Sequence, residues 1–508
     1  MAKEPIIAAL TIERWGVFEI AMPGKTEGNP FVDFAIEGTF TSTAEEVQVS
    51  GFYDGGGIYK VRFMPSFEGT YRYHVTGSFS DQAYDGVFTV TPAKAGNHGP
   101  VRARGFHFEH EDGTPYFPMG TTCYVWQLQP EAVQRTTLDE LQKGYFNKIR
   151  FCVMPKHYLY NLHEPFSYPY EGTAAPFEKE ITGNFFQLMG VQPGHKFDFT
   201  RFNPAHFQHL EACVVKLGKL GIEADLIMMH AYDRWGFSQM SAKQDALYFR
   251  YLLARLSAYR NVWWSLANEY DLLRTKSIAD WERLAQIVVD NDPYHRLRSI
   301  HNCFGMYDYT RPWITHCSIQ RQDVYKCAEY TDEFRIRYGK PVVLDEIGYE
   351  GDIDQGWGNI SGQELVRRFW EAAVRGGYAT HGETFDRPEG VLWWSHGGKL
   401  HGESPARIRF LKDILHQTPG AGLRRMEGAW DEIAATAEVL GDSGYYLYYY
   451  GFNRPCKRTF MMDAAHTYRV EVIDTWEMTI QDAGVHNGTF TIELPRKSYM
   501  AIRIRRVG

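Results

Sequence analysis

The sequence predicts an α/β protein in which a (β/α)8 TIM barrel is flanked by an N-terminal and a C-terminal β-sandwich. Three observations favour this fold class. The chain has 508 residues, which is enough for about three domains. Short runs at both ends alternate apolar and polar residues, as half-buried strands do. The middle of the chain instead alternates short apolar runs with amphipathic segments, which is typical of parallel strands joined by helices.

The first predicted domain, residues 1–97, is an Ig-like β-sandwich. Its runs Glu46–Val49, Tyr59–Phe63 and Tyr71–Val75 alternate with the period of two that strands show. Glycine-containing turn signals separate these runs. The stretch 92–100 loses the alternation, so we expect it to link the sandwich to the next domain.

Residues 98–420 form the predicted barrel domain. The eight expected strands are Tyr116–Thr122, Lys148–Met154, Glu223–His230, Asn261–Ala267, Arg298–Asn302, Thr315–Ile319, Val342–Glu346 and Val391–Ser395. Helical patterns fill most of the gaps, the fifth connection is too short for a full helix, and residues 159–200 form a long insertion. A doubly wound open sheet is the structural alternative, but no GxGxxG motif follows an early strand.

The last predicted domain, residues 421–508, is a second β-sandwich. The runs Tyr445–Tyr450, Tyr468–Ile473 and Phe490–Leu494 alternate again, and Tyr499–Arg505 forms the last strand. Strands that follow one another at short spacing are typical of a sandwich.

Composition and charge disfavour several classes of function. The net charge of −8 argues against a nucleic-acid partner, whose phosphates need a basic surface. The seven cysteines are odd in number and contain no CxxC motif, so we expect buried free thiols in a reducing compartment. The sequence shows neither a signal peptide nor a run of ~18 apolar residues, which predicts a cytoplasmic protein without a membrane partner. The sequence leaves open whether the chain forms a homo-oligomer.

Two glutamates stand where a barrel carries its catalytic residues, at the carboxyl ends of strands. Glu269 follows the fourth predicted strand and is preceded by Asn268, and Glu346 ends the seventh. Two carboxyl groups ~5–5.5 Å apart across a barrel mouth can hydrolyse a glycoside with retention of configuration. One attacks the anomeric carbon, and the other protonates the leaving oxygen and then activates water. Strand alternation points Asp345 away from the mouth, so we expect a structural role for it.

The pattern resembles the signature of glycoside hydrolase clan A, with Asn268-Glu269 after the fourth strand and Glu346 after the seventh. Arg150, in the second predicted strand, matches the arginine of this clan. The resemblance implies that Glu269 is the general acid and base and that Glu346 is the nucleophile. It also implies that Asn268 binds the sugar hydroxyl beside the anomeric carbon and that Arg150 keeps the nucleophile ionised.

The chain is also similar, over nearly its whole length, to apiosidase-like glycoside hydrolases with N-terminal and C-terminal β-sandwich domains of unknown function. The similarity rests on Gly51–Gly56 and Val61–Pro65 in the first sandwich and on Tyr116–Thr122 at the start of the barrel. This family implies a carbohydrate or glycoside substrate but does not identify the sugar.

Further polar and aromatic residues follow the predicted strands and are candidates for binding substrate. Aromatic rings can stack on sugars, and polar side chains can bind hydroxyl groups. These candidates are Tyr124, Trp126, His157, His230, Asp233, Trp235, His301, Gln320, Trp394 and His396. No HExxH motif, zinc-spaced cysteine pair or GxSxG motif occurs, so neither a metal ligand nor a cofactor is predicted.

These observations predict a retaining glycoside hydrolase. The insertion and residues 349–360 crowd the expected mouth, which favours a pocket and release of a terminal β-linked sugar from a small saccharide or glycoside. An endo-acting β-glucanase-like hydrolase with an open cleft is one alternative. The other is a non-catalytic carbohydrate-binding protein that uses its two sandwiches, which the presence of both carboxylates and Asn268 disfavours.

Overall fold

The structure is a computed structural model, which describes residues 5–177, 190–387 and 392–508. The chain divides into two compact units. The first consists of Met1–Val101, Tyr124–Gln134 and Arg150–Gly305, and the second of Arg102–Cys123, Arg135–Ile149 and Met306–Gly508. Residues 1–4 of the predicted first domain, residues 178–189 of the predicted insertion and Val391 of the predicted eighth strand lie outside the described residues.

The strands near the N-terminus build a β-sandwich in the first unit. They are β1 (Ile6–Ile7), β2 (Thr11–Glu13), β3 (Phe18–Pro23), β4 (Ile36–Thr41), β5 (Glu46–Ser50), β6 (Phe52–Tyr53), β7 (Ile58–Phe63), β8 (Gly69–Gly77) and β9 (Tyr84–Thr91). One sheet has the order β1-β3-β7-β6 and the other the order β2-β9-β8-β4-β5. Aromatic rings join the two sheets, since Phe18 stacks on Phe88 with ring centroids 3.8 Å apart. The N-terminal sandwich is confirmed, and its boundary at residue 97 stays a prediction.

The middle of the chain carries the barrel strands, shorter strands and the α-helices. In chain order these are β10 (Val101–Arg104), β11 (His107–His110), β12 (Pro115–Tyr116), β13 (Met119–Thr122), α1 (Glu131–Gln142), β14 (Lys148–Cys152), β15 (Tyr170–Thr173), β16 (Lys196–Phe202), α2 (Pro204–Lys219), β17 (Glu223–His230), α3 (Ala242–Leu256), β18 (Val262–Asn268), α4 (Ile278–Asn291), β19 (Arg298–Ser299), β20 (Cys317–Gln320), α5 (Thr331–Tyr338), β21 (Val342–Glu346), β22 (Glu350–Gly351), α6 (Gly362–Val374), β23 (Tyr378–His381), β24 (Glu383–Thr384), α7 (Trp393–His396) and α8 (Ser404–Leu415). Short 3-10 helices occur at Trp126–Leu128, Phe237–Gln239, Tyr270–Leu272, Ala328–Tyr330 and Gly356–Gly358.

Eight of these strands form one parallel sheet with the order β19-β18-β17-β14-β13-β23-β21-β20. Helices follow most of these strands along the chain, so the predicted (β/α)8 barrel is confirmed as the fold class. The strands β17, β18 and β21 are buried along their whole length, as expected of a parallel sheet with both faces covered. Residues 300–316 contain no helix, as the sequence predicts for the fifth connection.

The eighth barrel strand is β23, and the prediction that Val391–Ser395 forms this strand is wrong. Residues 393–396 form the short helix α7 instead. A short apolar run suits a buried helix turn as well as a buried strand, and hydrophobicity alone does not separate them. The observed strand β23 ends in Thr380 and His381. Because these two residues are polar, the sequence of β23 does not form an apolar run.

Buried ion pairs fasten the N-terminal sandwich to α2 and α3 within the first unit. Arg62 of β7 is buried and donates to both carboxylate oxygens of Glu211 in α2, at 2.8 and 2.6 Å. Arg255 of α3 pairs with Asp54 at 2.5 Å and with Glu211 at 3.0 Å. Removing one member of such a network leaves buried charge without compensation, so the sandwich and the helices stabilise each other.

The C-terminal strands form the second predicted sandwich, in the second unit. They are β25 (Leu423–Met426), β26 (Ile433–Ala437), β27 (Tyr445–Tyr449), β28 (Lys457–Met461), β29 (Tyr468–Asp474), β30 (Thr479–His486), β31 (Thr489–Glu493) and β32 (Met500–Arg506). Six pair in the order β25-β26-β27-β32-β29-β30, and β28 pairs with β31. The side chains of Tyr448, Phe460, Phe490 and Ile502 share one buried core. The C-terminal β-domain is thereby confirmed, whereas its start at residue 421 stays a prediction.

The cysteines agree with the predicted free thiols. All seven are free, and five of them are buried. Burial raises the pKa of the Cys213 thiol in α2 to about 12, so this thiol stays protonated at neutral pH. In the part of the chain that the structure describes, no helix has the length and the apolar character that crossing a bilayer requires.

Candidate active site

Glu269 follows β18 in the first unit, at the turn into the 3-10 helix Tyr270–Leu272. Its φ of 52° lies in the left-handed region that residues other than glycine seldom adopt. The backbone N–H of Glu269 donates to Nδ1 of His301 at 3.4 Å, and the N–H of Tyr270 donates to the His301 carbonyl at 2.8 Å. Such strained backbone persists only where surrounding contacts impose it, and it clusters at functional sites.

The carboxylate of Glu269 is oriented by two donors. The Tyr232 hydroxyl donates to Oε2 at 2.5 Å, and Asn268 Nδ2 donates to the same oxygen at 3.1 Å. Asn268 in turn accepts at Oδ1 from Arg150 Nη2 at 2.9 Å and from the Tyr124 hydroxyl at 3.3 Å. The first unit therefore brings four of the predicted site residues into one chain of hydrogen bonds and adds Tyr232 to them.

Two positively charged side chains, those of Arg150 and Lys156, contact members of this chain of hydrogen bonds. Arg150 is fully buried, and its Nε lies 3.9 Å from a carboxylate oxygen of Asp225. The Lys156 ammonium lies 3.2 Å from the ring centroid of Tyr124 and 4.2 Å from that of Tyr232, in cation–π contact with both rings. Neither Tyr232 nor Lys156 is among the predicted site residues, although both follow strand ends, which is the signal that could have identified them.

His230, the last residue of β17, is buried near the same lysine. Its Nε2 lies 3.3 Å from the carbonyl oxygen of Met154. Burial, and then the positive charge of Lys156, lower the pKa of His230 to about 3, so this imidazole is neutral at physiological pH. A neutral imidazole at this strand end can exchange hydrogen bonds with a neighbour without adding charge to the site.

Asp233, Trp235 and His157 stabilise the loop after β17. Asp233 accepts hydrogen bonds from three backbone N–H groups of residues 235–238, at 2.7 to 3.2 Å, and burial raises its pKa. The Trp235 indole donates to Glu164 at 3.2 Å. His157 packs against Trp235 with centroids 6.0 Å apart, and burial, followed by the charge of Arg234, lowers the pKa of His157 to about 4.

A cavity of about 540 Å³ opens next to this loop in the first unit. Its lining includes Ala231, Asp233, Leu272, Leu273, Thr275 and Phe304. Phe304 is 78% exposed, and the backbone of its loop is held because Asp271 accepts from the N–H groups of residues 303–305. Among the lining residues, Ala231 and Asp233 flank Tyr232 along the chain, and Leu272 follows Glu269 by three residues. The exposed ring of Phe304 also lines the cavity.

Glu346 is the last residue of β21 in the second unit and is buried, at 4% exposure. Gln322 Nε2 donates a hydrogen bond to Oε2 of Glu346 at 3.5 Å. The register partner of Glu346 on β20 is Gln320, which is another predicted site residue. The carbonyl of Glu346 accepts from the backbone N–H of Arg321 at 2.8 Å, so the chain after β20 is connected to the end of β21.

The side chain of Asp345 makes three hydrogen bonds within the sheet. Its carboxylate accepts from the Lys148 ammonium at 2.8 Å, from the Ser318 hydroxyl at 2.5 Å and from the Thr380 hydroxyl at 2.7 Å. All four side chains are buried. The structural role that strand alternation predicts for Asp345 agrees with these contacts.

Trp394 and His396 lie in α7 of the second unit rather than on a strand. The Trp394 ring packs on Trp357, with centroids 4.8 Å apart, and on Tyr349 at 5.8 Å. Trp394 is 5% exposed and His396 9% exposed, so both rings are almost covered. Sugar stacking on Trp394 would therefore use only an edge of its ring.

The predicted site residues are distributed over both compact units. The first unit contains Arg150, Tyr124, Trp126, His157, His230, Asp233, Trp235, Asn268, Glu269 and His301, and the second contains Gln320, Glu346, Trp394 and His396. Among the former, Trp126 is fully buried and packs on Phe151 of β14 with centroids 5.8 Å apart. Its contacts are those of a core residue.

One group among the described residues has the geometry to hold a metal ion. It consists of Glu350, His381 and Glu383, and all three are buried. Burial raises the pKa of Glu383 to about 7, and the negative charge of Glu350 acts in the same direction. No sequence pattern marks these residues, because they come from the ends of three separate strands and have no motif spacing.

Family models account for most of the chain. The model described as "Apiosidase-like, catalytic domain" matches residues 103–433. Residues 11–78 match one domain of unknown function (DUF5060), and residues 430–505 match another (DUF5605). No match to a curated protein is significant.

Solved structures extend this similarity to the whole chain. A provisionally assigned glycoside hydrolase from Bacteroides vulgatus is 37% identical, with a TM-score of 0.89 over 98% of this chain and 100% of that one. A family 5 glycoside hydrolase from the same organism is 14% identical, with a TM-score of 0.60 over 80% of this chain and 94% of that one, which shows the fold alone. The chain therefore belongs to the apiosidase-like catalytic domain family of glycoside hydrolases.

Proposed function

We propose that this protein is a retaining glycoside hydrolase that removes a terminal β-linked sugar from a small saccharide or glycoside. Glu346 attacks the anomeric carbon, while Glu269 first protonates the leaving oxygen and then activates the water that releases the sugar. The observation that carries this proposal is the setting of Glu269. It stands directly after Asn268 at the end of β18, and Asn268 and Tyr232 orient its carboxylate.

Asn268 serves both the acid/base and the sugar in this mechanism. Arg150 and Tyr124 donate to its Oδ1, so the amide plane is fixed and Nδ2 remains a donor. A fixed donor can strengthen its hydrogen bond to the hydroxyl beside the anomeric carbon as the transition state forms. We therefore assign Arg150 the role of holding Asn268, beside the role toward Glu346 that the clan resemblance implies.

A small substrate and a cytoplasmic location belong to the same proposal. Hydrogen bonds from the backbone of Trp235 to Asp233 and from the Trp235 indole to Glu164 stabilise the loop after β17. A cavity of about 540 Å³ beside it has the size of pockets that bind small molecules. A saccharide or glycoside small enough to be imported is the class of substrate that a cytoplasmic hydrolase can meet.

Variants of the two glutamates test the assignment of roles. We expect Glu346→Gln to abolish turnover, because an amide does not attack the anomeric carbon. Glu269→Ala should retain glycosylation of substrates with good leaving groups, and azide should restore its turnover by attacking the glycosyl-enzyme. Glu427→Gln, a change at an exposed glutamate, is the control and should leave kcat/KM unchanged. Azide rescue of Glu346→Gly, with retained configuration, would show that the roles are reversed.

Proton NMR of early hydrolysis tests the stereochemistry. Double displacement yields a first product with the same anomeric configuration as the substrate. An inverted first product would contradict the proposed mechanism. Preference for long polysaccharides over aryl glycosides would favour the endo-acting alternative, and binding without turnover would favour a non-catalytic carbohydrate-binding protein.

A further inference from the structure

Three buried ionisable side chains meet at the carboxyl ends of β21 and β23 in the second unit. Glu350 and Glu383 are register partners in the small parallel sheet of β22 and β24, and His381 ends β23. Their exposed fractions are 3%, 1% and 0%. One oxygen from each carboxylate and one ring nitrogen of His381 all lie within 4.8 Å of one another.

The two carboxylates are fixed by the backbone that enters α8. Four consecutive N–H groups donate to them, those of His401 and Gly402 to Glu383 at 2.6 and 2.8 Å, and those of Glu403 and Ser404 to Glu350 at 2.7 and 3.0 Å. An ionised carboxylate has about four lone-pair positions. Each carboxylate therefore keeps acceptor capacity for a ligand after these backbone bonds are made.

The carboxylate oxygens converge above Gly402. A Cβ atom at this position would lie 2.4 Å from Oε2 of Glu350 and 2.7 Å from Oε2 of Glu383, and real contacts are never that short. A side chain at position 402 would displace at least one of the two carboxylates. The two Oε2 atoms thus face the same small space from neighbouring strands.

His381 completes the group with a nitrogen that lacks a hydrogen-bond partner. Its Nδ1 lies 2.9 Å from the Thr121 hydroxyl, and the Trp393 indole donates to that same hydroxyl at 2.8 Å. Its Nε2 is buried and has no hydrogen-bond partner among the described residues. Because Nδ1 is engaged by Thr121, Nε2 is the ring nitrogen that can serve a ligand.

The negative charges of the Glu350 and Glu383 carboxylates require compensation by a cation. In the described ranges of the chain, no lysine or arginine forms an ion pair with Glu350 or Glu383. Buried carboxylates are normally paired with a cation or coordinate a metal, and the N-terminus of α8 compensates only part of their charge. We propose that Glu350, Glu383 and His381 bind a divalent first-row transition-metal ion, Zn²⁺ or Mn²⁺, which favour imidazole and carboxylate ligands.

The bound ion would act on the structure rather than on the reaction. Glu350 follows Glu346 by only four residues, and the ion would tie this segment to the end of β23 and, through residues 401–404, to α8. The competing explanation is an acid pair that shares one proton and binds no metal. The two explanations predict opposite responses to chelation.

Metal analysis and thermal unfolding of the full-length protein distinguish them. We expect about one equivalent of metal in the purified protein. After removal of metal with EDTA, saturating Zn²⁺ or Mn²⁺ should raise Tm by about 5–10 °C. Glu383→Gln and His381→Asn should lose this rise, and the asparagine can keep the bond to Thr121 while removing Nε2. A wild-type Tm that responds to neither metal would overturn the proposal.

Asp271→Asn is the matched control. Asp271 also accepts from three backbone N–H groups, but the metal-capable group contains neither it nor a neighbour of it. This variant should be less stable and keep the full metal-dependent rise in Tm. X-ray absorption of the Zn²⁺-loaded wild type remains decisive if a site variant does not fold. A shell of nitrogen and oxygen at ~2.0–2.2 Å is expected, and sulfur ligands would overturn the proposal.

Discussion

At the scale of single residues, individual hydrogen bonds orient the carboxylate of Glu269, the candidate acid/base. Tyr232 donates to Glu269 at 2.5 Å, and Tyr232→Phe removes this bond while keeping the ring beside Lys156. A hydrogen bond to a charged group contributes about 1.5–3 kcal/mol. We expect kcat/KM on an aryl glycoside to fall about ten- to hundredfold in steady-state kinetics, with most of the loss in kcat.

Tyr248→Phe is the control for this variant. The buried Tyr248 hydroxyl donates to the backbone carbonyl of Met228 in β17 at 2.8 Å, so the same atom is removed from a structural bond. Both variants should lose similar stability. If both also lost kcat/KM equally, Tyr232 would act through stability alone.

The buried carboxyl group of Glu223, at the first residue of β17, makes the stability of the protein depend on pH. Glu223 Oε2 accepts from the Trp263 indole at 2.9 Å, and burial raises the pKa of Glu223 from its ordinary value of 4.5 to about 7. Between these two values the folded protein binds more protons than the unfolded chain. The contribution of Glu223 to stability is therefore complete below pH 4.5 and is lost as the pH rises to about 7.

Glu223→Gln keeps the shape of the side chain and cannot ionise. At pH 8 we expect this variant to exceed the wild type by about 3 kcal/mol in free energy of unfolding. At pH 4.5 the two proteins should have nearly the same Tm. Thermal unfolding across this pH range measures the difference. A wild type that is the more stable protein at pH 8 would mean that Glu223 is ionised in the fold and stabilised by its neighbours.

At the scale of elements, Arg62 joins β7 to α2 through Glu211. Arg62→Met keeps much of the side-chain volume and removes the guanidinium, which leaves Glu211 with Arg255 as its remaining cation. Losing one member of a buried ion network costs about 3 kcal/mol or more. We expect a marked fall in Tm, while Arg72→Met, on the exposed face of β8, should change Tm little.

A double-mutant cycle separates the ion pair from simple packing. If the Arg62–Glu211 pair carries the effect, Arg62→Met combined with Glu211→Gln should cost less than the sum of the two single variants. Additive losses would mean that the aliphatic part of Arg62, and not its charge, stabilises the junction.

The elements also show what the sequence could and could not predict. The strands before Glu269 and Glu346 were predicted because each is a run of buried residues with a polar end. The eighth strand was missed because β23 carries polar residues in its last two positions. The bond between Tyr232 and Glu269 is not predictable from the sequence because it joins two loops, and the group around His381 is not predictable because it joins three strand ends. Such contacts depend on the order of strands in the sheet, which no local pattern contains.

At the scale of the whole molecule, the first compact unit spans the predicted boundary at residue 97. The sandwich core contains Ala258 and Tyr294, from beyond that boundary, together with Phe40. The Tyr294 hydroxyl accepts from the backbone N–H of Met64 at 2.9 Å. The loss of periodicity after residue 92 predicts a linker, and this stays a prediction, because a pattern does not reveal whether two regions share one core.

This shared core predicts that the sandwich and the strands β17 and β18 unfold as one cooperative unit. Phe40 is fully buried and stacks on Phe63 with centroids 4.4 Å apart, so Phe40→Ala should cost about 3–5 kcal/mol. We expect hydrogen exchange, followed by mass spectrometry, to accelerate by the same factor in β4, β17 and β18. Phe67→Ala, at a ring that is 44% exposed, is the control and should leave these rates nearly unchanged. Faster exchange confined to β1–β9 would show instead that the sandwich opens on its own, and that the ion pairs of Arg62 and Arg255 join two separately stable parts.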